Sequence, residues 1–405
     1  MAWLRLALVV NGFLLALFTW GSVQSRGLMT YAANDYSTFR SAAAIARDHG
    51  YASVYDERLL DAYQRPLVEA FGSALGKAEF VPITVPFPPA FLIGFQPLLW
   101  LPPLASLFAW SAVSILVMSL SFWPWVRGAR GNIRSTLLAA SLLSLPVFLT
   151  LLFGQVTAWM CLGLAGFLQS MRQGRGFRAG LWLTLLFVKP QSLIVLAPGL
   201  LLGRRFRAAL GLAVGAAFVM AVSLALTGPD GMARLMSLYL RYPGDLPHTY
   251  PESMMNWRAI ATQLNQALDW PGWIWLAALA AVASLVAGLA LWRRHGQTTE
   301  PVMMAGLVAA AYAAAGLAGW HSHVHMAAPV LVPLLTLWMS ARWRAYIVAW
   351  LLLPTFAFSL TGILFGPGPA HRLAALMMAG LNFLALWLAW KSPPAEAGVT
   401  GESLG

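Results

Sequence analysis

Charge is scarce in this sequence. Only 10% of its residues are charged, whereas a soluble domain carries roughly 25%. With 59% of the residues hydrophobic, that shortage excludes an ordinary water-soluble domain. Cysteine is nearly missing as well: the single Cys161 lies in an apolar run, which excludes an intrachain disulfide and a thiolate cluster for a metal. Acidic side chains are the scarcer sign, 14 against 26 Lys and Arg. No fixed-period repeat is visible, so a solenoid is not expected.

Long apolar runs are abundant instead. They recur along nearly the whole chain, several near the roughly 20 residues that span a bilayer, and one buried core could not absorb them all. The expected fold class is all-α, a polytopic transmembrane helical bundle of about 10 to 12 membrane segments. Crossings are expected at 4–20, 104–126, 137–153, 156–171, 208–227, 272–292, 302–319, 327–341, 345–364 and 372–390. The first, with Arg5 near its start, exceeds a signal-peptide core of about 7 to 15 residues and lacks a clear cleavage site, so it reads as an uncleaved anchor. Two stretches do not fit simple crossings. Residues 86–103 hold Pro86, Pro88, Pro89, Pro97, Pro102 and Pro103, which remove backbone donors and favour a re-entrant or interfacial hairpin. Residues 179–203 are divided at Lys189-Pro190, as two half-crossings would be.

The net charge of +12 is spread along the chain rather than gathered in one patch, and no nucleic-acid partner is expected. Arginines cluster between apolar runs, at Arg127, Arg130 and Arg134, at Arg172, Arg175 and Arg178, at Arg204, Arg205 and Arg207, at Arg293 and Arg294, and at Arg342 and Arg344. Short loops rich in Arg stay on the cytoplasmic side. That rule places two long loops, about 21–85 and 228–270, outside. Eleven of the 14 acidic residues fall in them, between Asp35 and Glu79 and between Asp230 and Asp269. Residues 1–390 read as one transmembrane domain and the Pro/Gly-rich residues 391–405 as a disordered cytoplasmic tail. Membrane lipids are expected partners, and the multi-pass chain is expected in the cell's inner (plasma) membrane with its site facing the periplasm or exterior.

Chemistry-bearing residues gather at the outer ends of these segments. Asp35, flanked by Tyr36 and Phe39, suits a general base, although Asn34 or Asp35 would equally cap a helix running to His49. His321, His323 and His325 share a face if extended, while only His321 and His325 do so in a helix. Such imidazoles can bind zinc, donate to an oxyanion or simply face water. Lys189, in Phe187-Val-Lys-Pro-Gln-Ser192, is the one Lys or Arg set well inside an apolar stretch, where it would hold a lipid phosphate or reach to the interface. Arg258 suits a bidentate phosphate contact, with Asn256 positioning a sugar hydroxyl, or else a surface pair with Glu252. Gly154-Gln155 reads also as a helix stop.

In order, the pieces Asn34-Asp35-Tyr36, Gly50-Tyr51 through Tyr55-Asp56, Pro88-Pro89 through Pro97-Leu98, Gly154-Gln155-Val156, Lys189-Pro190-Gln191, Asn256-Trp257-Arg258 and His321 to His325 resemble the GT-C glycosyltransferases. The closest resemblance is to glycosyltransferase family 87, which includes polyprenyl-phosphate-mannose-dependent mannosyltransferases. It implies a GT-C bundle that moves a hexose or pentose, mannose favoured, from a polyprenyl-phosphate donor to a lipid or glycan acceptor outside the cell, with inversion. Asp35 and His323 would be catalytic. Lys189, Gln191, Arg258, Asn256, His321, His325 and Gln155 would bind substrate, with no metal and no cofactor. Paired acidic residues are common in the first loop of such enzymes, whereas here Asn34 precedes Asp35. The residues alone also allow a transporter or flippase of a lipid-linked saccharide, for which broken helices and a buried Lys would serve.

Overall fold

The computed structural model describes residues 2–25, 33–75, 83–127, 129, 131–241 and 250–391. Tyr31, Arg130, Glu79, Asp245 and the tail beyond Lys391 fall outside the described residues, as do the parts of both loops between those ranges.

Helix follows helix. The chain forms α1 (Ala2–Ser25), α2 (Asn34–His49), α3 (Glu57–Leu75), α4 (Pro103–Val126), α5 (Gly131–Leu142), α6 (Leu145–Phe153), α7 (Thr157–Arg172), α8 (Gly176–Leu183) and α9 (Leu196–Leu202). It continues as α10 (Phe206–Arg241), α11 (Trp257–Leu268), α12 (Trp273–His295), α13 (Pro301–Ala318), α14 (Leu331–Leu337), α15 (Ala341–Phe365) and α16 (Pro367–Trp390). Among the described residues the only β pairing is an isolated antiparallel bridge, Met254 to His323. The all-α polytopic expectation therefore holds.

Seven of the described helices, α1, α4, α10, α12, α13, α15 and α16, are long and apolar enough to cross a membrane. The pair α5 and α6, bent by 48°, makes an eighth if counted as one span, where the sequence suggested a single crossing at 137–153. At 1.5 Å per residue the 24 residues of α4 reach about 36 Å, past a hydrocarbon core of about 30 Å, whereas the 16 of α7 reach only about 24 Å. Most of α7 is buried against its neighbours.

Proline explains where spans stop. The expected hairpin at 86–103 is a 3-10 helix, Pro89–Trp100, followed by Pro102 and Pro103, which open α4. Near Lys189 the backbone breaks as expected: α8, a 3-10 turn at Thr184–Val188, another at Pro190–Leu193, then α9. The span expected at 208–227 continues as α10 through a kink at Gly228 (φ 65°, ψ −179°) and Pro229 into an arm ending at Arg241. Small residues let the helices approach closely, as in other membrane bundles. A Cβ on Gly180 would lie 1.9 Å from the Ala208 carbonyl oxygen, and one on Gly211 2.0 Å from that of Phe177, so α8 and α10 touch backbone to backbone. The Ala-rich α13 is buried from Met304 to Leu317 and forms the axis of the bundle.

The arginine clusters meet at one end of that bundle. Arg134 stacks on Trp123 and Arg172 on Trp125. A side chain at Gly176 would press on Arg207. Arg205 donates to the Gly296 carbonyl at 2.7 Å, Arg294 lies over Trp390, and Arg342 donates to the carbonyls of Leu388 and Lys391. Clusters separated by as much as two hundred residues thus form one rim, and they also satisfy helix-terminal carbonyls that would otherwise be orphaned.

Candidate functional site

Asp35 is set by how α2 begins. The capping residue is Ala33, in a left-handed conformation (φ 58°) without a side-chain cap, so neither Asn34 nor Asp35 is the cap the sequence allowed. Instead, the Ala33 N–H donates to the Leu152 carbonyl at 2.8 Å, tying the start of α2 to the end of α6. Gly154 closes α6 at φ 69°, and a Cβ there would lie 2.5 Å from Cβ of Tyr36. Glycine is thus required twice over, by the dihedral and by the approach. Trp110 Nε1 donates to the Gly154 carbonyl at 2.9 Å and fixes the turn from the other side. One turn further along α2, Arg40 is a buried strut rather than a loop-surface charge. It donates to Ser106 Oγ at 2.8 Å and to the carbonyls of Leu98 and Leu101, while Ser106 also bonds the Tyr36 hydroxyl. Asp35 is left half-buried in the first turn, where the positive end of the helix dipole favours a carboxylate.

Lys189 occupies the break between α8 and α9 and is 7% exposed. Its Nζ lies 3.5 Å from His325 Nε2 and 5.8 Å from the centre of the Phe87 ring, and the charge of Asp35 acts on it. Pro190 withholds a backbone donor, and Ser192 Oγ turns back to the Lys189 carbonyl at 2.8 Å. Gln191 Nε2 donates to the His321 carbonyl at 3.3 Å, joining this break to the histidine segment.

That segment follows α13 and changes conformation midway. His323 is extended (φ −78°, ψ 159°) and bridges Met254, while Met255 N donates to the Ser322 carbonyl at 2.7 Å. From Val324 the chain is a 3-10 helix to Val330. Neither the extended nor the helical reading holds throughout, yet the rings converge. His321 and His323 have centroids 4.7 Å apart, and His323 and His325 stack at 5.9 Å with 19° between planes. Burial pushes the His323 imidazole down to about 3, with the charges of Lys189 and His371 adding to the effect. Burial likewise holds His321 well below the ordinary range, aided by His323, Lys189 and Arg258. Both are therefore neutral near pH 7, each with one N–H to donate and one nitrogen to accept. His325 Nδ1 is buried with no hydrogen-bond partner. Among the described residues, no group of three or more His, Cys, Asp or Glu side chains is arranged to hold a metal ion.

A fourth imidazole belongs here that sequence reasoning missed. His371, in the first turns of α16, stacks on Phe153 at 6.2 Å and meets Phe358 edge-on at 5.1 Å. Its charge acts on His323 and His325. Its signal was available: like the other three, it stands at the outer end of an expected crossing.

The Asn256 amide is engaged inside the protein. Its Oδ1 accepts from Ala259 N at 2.9 Å as the cap of α11, and its Nδ2 donates to the Gly319 carbonyl at 2.7 Å. It is 1% exposed, so it positions α11 against the end of α13 and is not poised to meet a sugar. Glu252 faces Arg372 at 4.0 Å, whereas Arg258 stacks on Trp320 with its Cζ 4.4 Å from the ring centre. Arg258 Nη1 is buried without a hydrogen-bond partner. Below it runs a narrow apolar crevice between α12 and α13, walled by Trp257, Ile274, Ala277, Ala281, Leu317 and Trp320. Beside the crevice α12 exposes Trp275, Leu279 and Val282, a face suited to lipid.

Asp35, Lys189, the histidines and Arg258 thus form one run of electrostatic neighbours. Gln155 is buried near the start of α7, its Oε1 without a partner. Residues 86–319, more than half of the chain, match Glycosyltransferase family 87. No curated protein and no solved structure matches the chain.

Proposed function

The chain belongs to glycosyltransferase family 87 and is a membrane glycosyltransferase, and from that premise we propose how its outer site works. The donor is a hexose or pentose, mannose favoured, carried on a polyprenyl phosphate. The acceptor is a lipid or glycan hydroxyl on the extracytoplasmic face. The observation that carries this reading is the cation of Lys189, buried in a helix break beside neutral imidazoles and within electrostatic reach of Asp35.

Each group has a role that follows from its surroundings. Asp35 takes the proton of the acceptor hydroxyl while the oxygen attacks the anomeric carbon from the face opposite the phosphate. The new C–O bond forms as the bond to the phosphate oxygen breaks, which inverts the anomeric centre. Polyprenyl phosphate leaves with its negative charge, and Lys189 receives that charge as a point cation. His323, held by a hydrogen bond to the Ser253 backbone, sets its neutral ring beside the phosphate without itself being a charge to desolvate. The unpaired Nη1 of Arg258 supplies a further donor above the exposed apolar face of α12 at Trp275, Leu279 and Val282, along which the first isoprene units lie. His321, His325, His371, Gln191 and Gln155 shape the surrounding pocket. The wall facing the cytoplasm is the arginine rim, so the bilayer is both the solvent of the frame and the source of the donor.

The test is transfer from labelled polyprenyl-phosphate sugars by membranes containing Asp35→Asn. Loss of the base is expected to lower the rate by roughly 10²- to 10⁴-fold. Undiminished transfer would remove Asp35 from this role.

A further inference from the structure

A second polar cleft lies apart from the residues assigned above. It is about 100 Å³ and is walled by Tyr55, Glu57, Thr84, Arg234, Ser237 and Arg241. The kink at Gly228 and Pro229 creates it by turning the last part of α10 out of the span and over the start of α3. That arm is two-faced. Met236 and Leu240, four residues apart, are 54% and 77% exposed and present an apolar face. Arg234, Ser237 and Arg241 line the cleft on another face, at helical spacing. The arm therefore has the build of an interfacial helix with polar groups facing the cleft.

The cleft is fastened to the central site. Tyr55 donates to the Phe87 carbonyl at 2.9 Å, Tyr239 on the arm donates to the Pro86 carbonyl at 3.1 Å, and the Phe87 ring faces Lys189. Phe87 lies between the two sets of side chains along this line.

The chemistry of the walls selects a ligand class. A carboxylate, Glu57, lies 3.8 Å from the Arg241 guanidinium, with a second guanidinium and three hydroxyls around them. A phosphate would meet the Glu57 carboxylate, a cation would meet two arginines, and a hydrocarbon would leave all of these groups unsatisfied. A neutral ring carrying adjacent hydroxyls suits both signs: its O–H groups donate to the carboxylate, and its oxygens accept from the planar guanidinium forks. We infer that this cleft binds a saccharide ring, the part of the acceptor that lies outward of the hydroxyl to be glycosylated. The link to the acceptor rests on the transfer reaction proposed above; binding of a sugar ring does not.

The experiment uses the purified full-length protein in detergent micelles, with no donor present, and saturation-transfer NMR on a panel of methyl hexopyranosides at millimolar concentration. At least one hexoside is expected to receive saturation. The effect should fall by about tenfold or more in Glu57→Ala and in Arg234→Ala, the scale of one lost hydrogen bond to a charged group. Both residues are exposed on the surface, and a thermal melt confirms that the variants fold. Asp35→Asn should retain the effect, and inorganic phosphate should not displace the sugar. The inference is overturned if no hexoside receives saturation, if the effect survives both cleft variants, if it depends on Asp35 instead, or if phosphate competes. Because no transfer is measured, failure of the proposed reaction leaves this readout unaffected.

Discussion

Replacing Lys189 by Met separates a catalytic charge from a structural one. The ammonium is 7% exposed, one imidazole nitrogen lies 3.5 Å from it, and the charge of Asp35 acts on it. A buried cation with so little direct pairing opposes folding, and an apolar chain of similar length in its place is commonly neutral or stabilising. Met keeps the volume and its contact with Phe87 while removing the charge. Thermal stability should therefore stay level or rise. Activity should move the other way. A charge-assisted hydrogen bond to the departing phosphate contributes about 1.5 to 3 kcal/mol, which at 1.36 kcal/mol per decade gives roughly a 10- to 150-fold loss in kcat/KM. The assay is initial-rate transfer from labelled polyprenyl-phosphate sugar by reconstituted protein, beside a melt of the same sample. Wild-type activity, or a loss of activity that tracks a loss of stability, would refute the assignment of Lys189 to the leaving phosphate.

Four further outcomes follow from the packing and the titration. Gly154→Ala combines a left-handed dihedral with a Cβ 2.5 Å from Tyr36, so it should destabilise by on the order of 2 to 4 kcal/mol, read as a lowered melting temperature. Asn256→Ala removes the cap of α11 and the bond to the Gly319 carbonyl, and should cost about 2 kcal/mol in the same measurement. Arg40→Met leaves the carbonyls of Leu98 and Leu101 without their donor and should cost about 3 kcal/mol or more, with loosened hydrogen exchange around residues 98–106. His323 has a folded-state pKa depressed to about 3, so its contribution is present above the unfolded value of roughly 6.5 and is lost as pH falls towards 3. By pH 5 it should have withdrawn on the order of 2 kcal/mol, and His323→Gln should remove that share of the acid limb while His321, His325 and His371 keep theirs.

Long-range charge and short-range breakage were legible in the sequence to different degrees. The arginine clusters pointed to one rim because short loops obey a simple electrostatic rule, and the structure links Arg172, Arg205, Arg294 and Arg342 end to end. Pro190 marked a break because proline lacks a donor wherever it stands. The roles of Arg40 and Asn256 were not legible. Arg40 stood in no motif and Asn256 suited a sugar hydroxyl, and only tertiary contact brings the 98–106 carbonyls to one and the end of α13 to the other. His371 stood, like the other three imidazoles, at the outer end of an expected crossing; what stayed hidden 46 residues after His325 is that Phe153 stacks beside it.

Several departures from local preference lie where the chemistry is proposed. Ala33 adopts a left-handed dihedral, a conformation that an L-residue enters at about 1 kcal/mol or more, and it does so one turn before the α2 face that packs on Gly154. Lys189 is a buried cation, His323 is a depressed imidazole, and Arg258 carries a buried unpaired N–H. Stability alone would replace each: Gly at 33, Met at 189, an apolar side chain at 323. Other departures lie away from the site, with left-handed dihedrals at Arg204, Tyr250 and Asp269 and unpartnered buried nitrogens on Arg134, Trp292 and Trp350. A sequence tuned only to fold has no need of a buried cation beside depressed imidazoles and an unpaired guanidinium N–H, so that grouping is a sign of selection for function. The same reasoning predicts the order of recovery in a stabilising screen: Lys189→Met, Arg258→Met and Ala33→Gly should each raise the melting temperature or leave it level, and the first two should lower transfer.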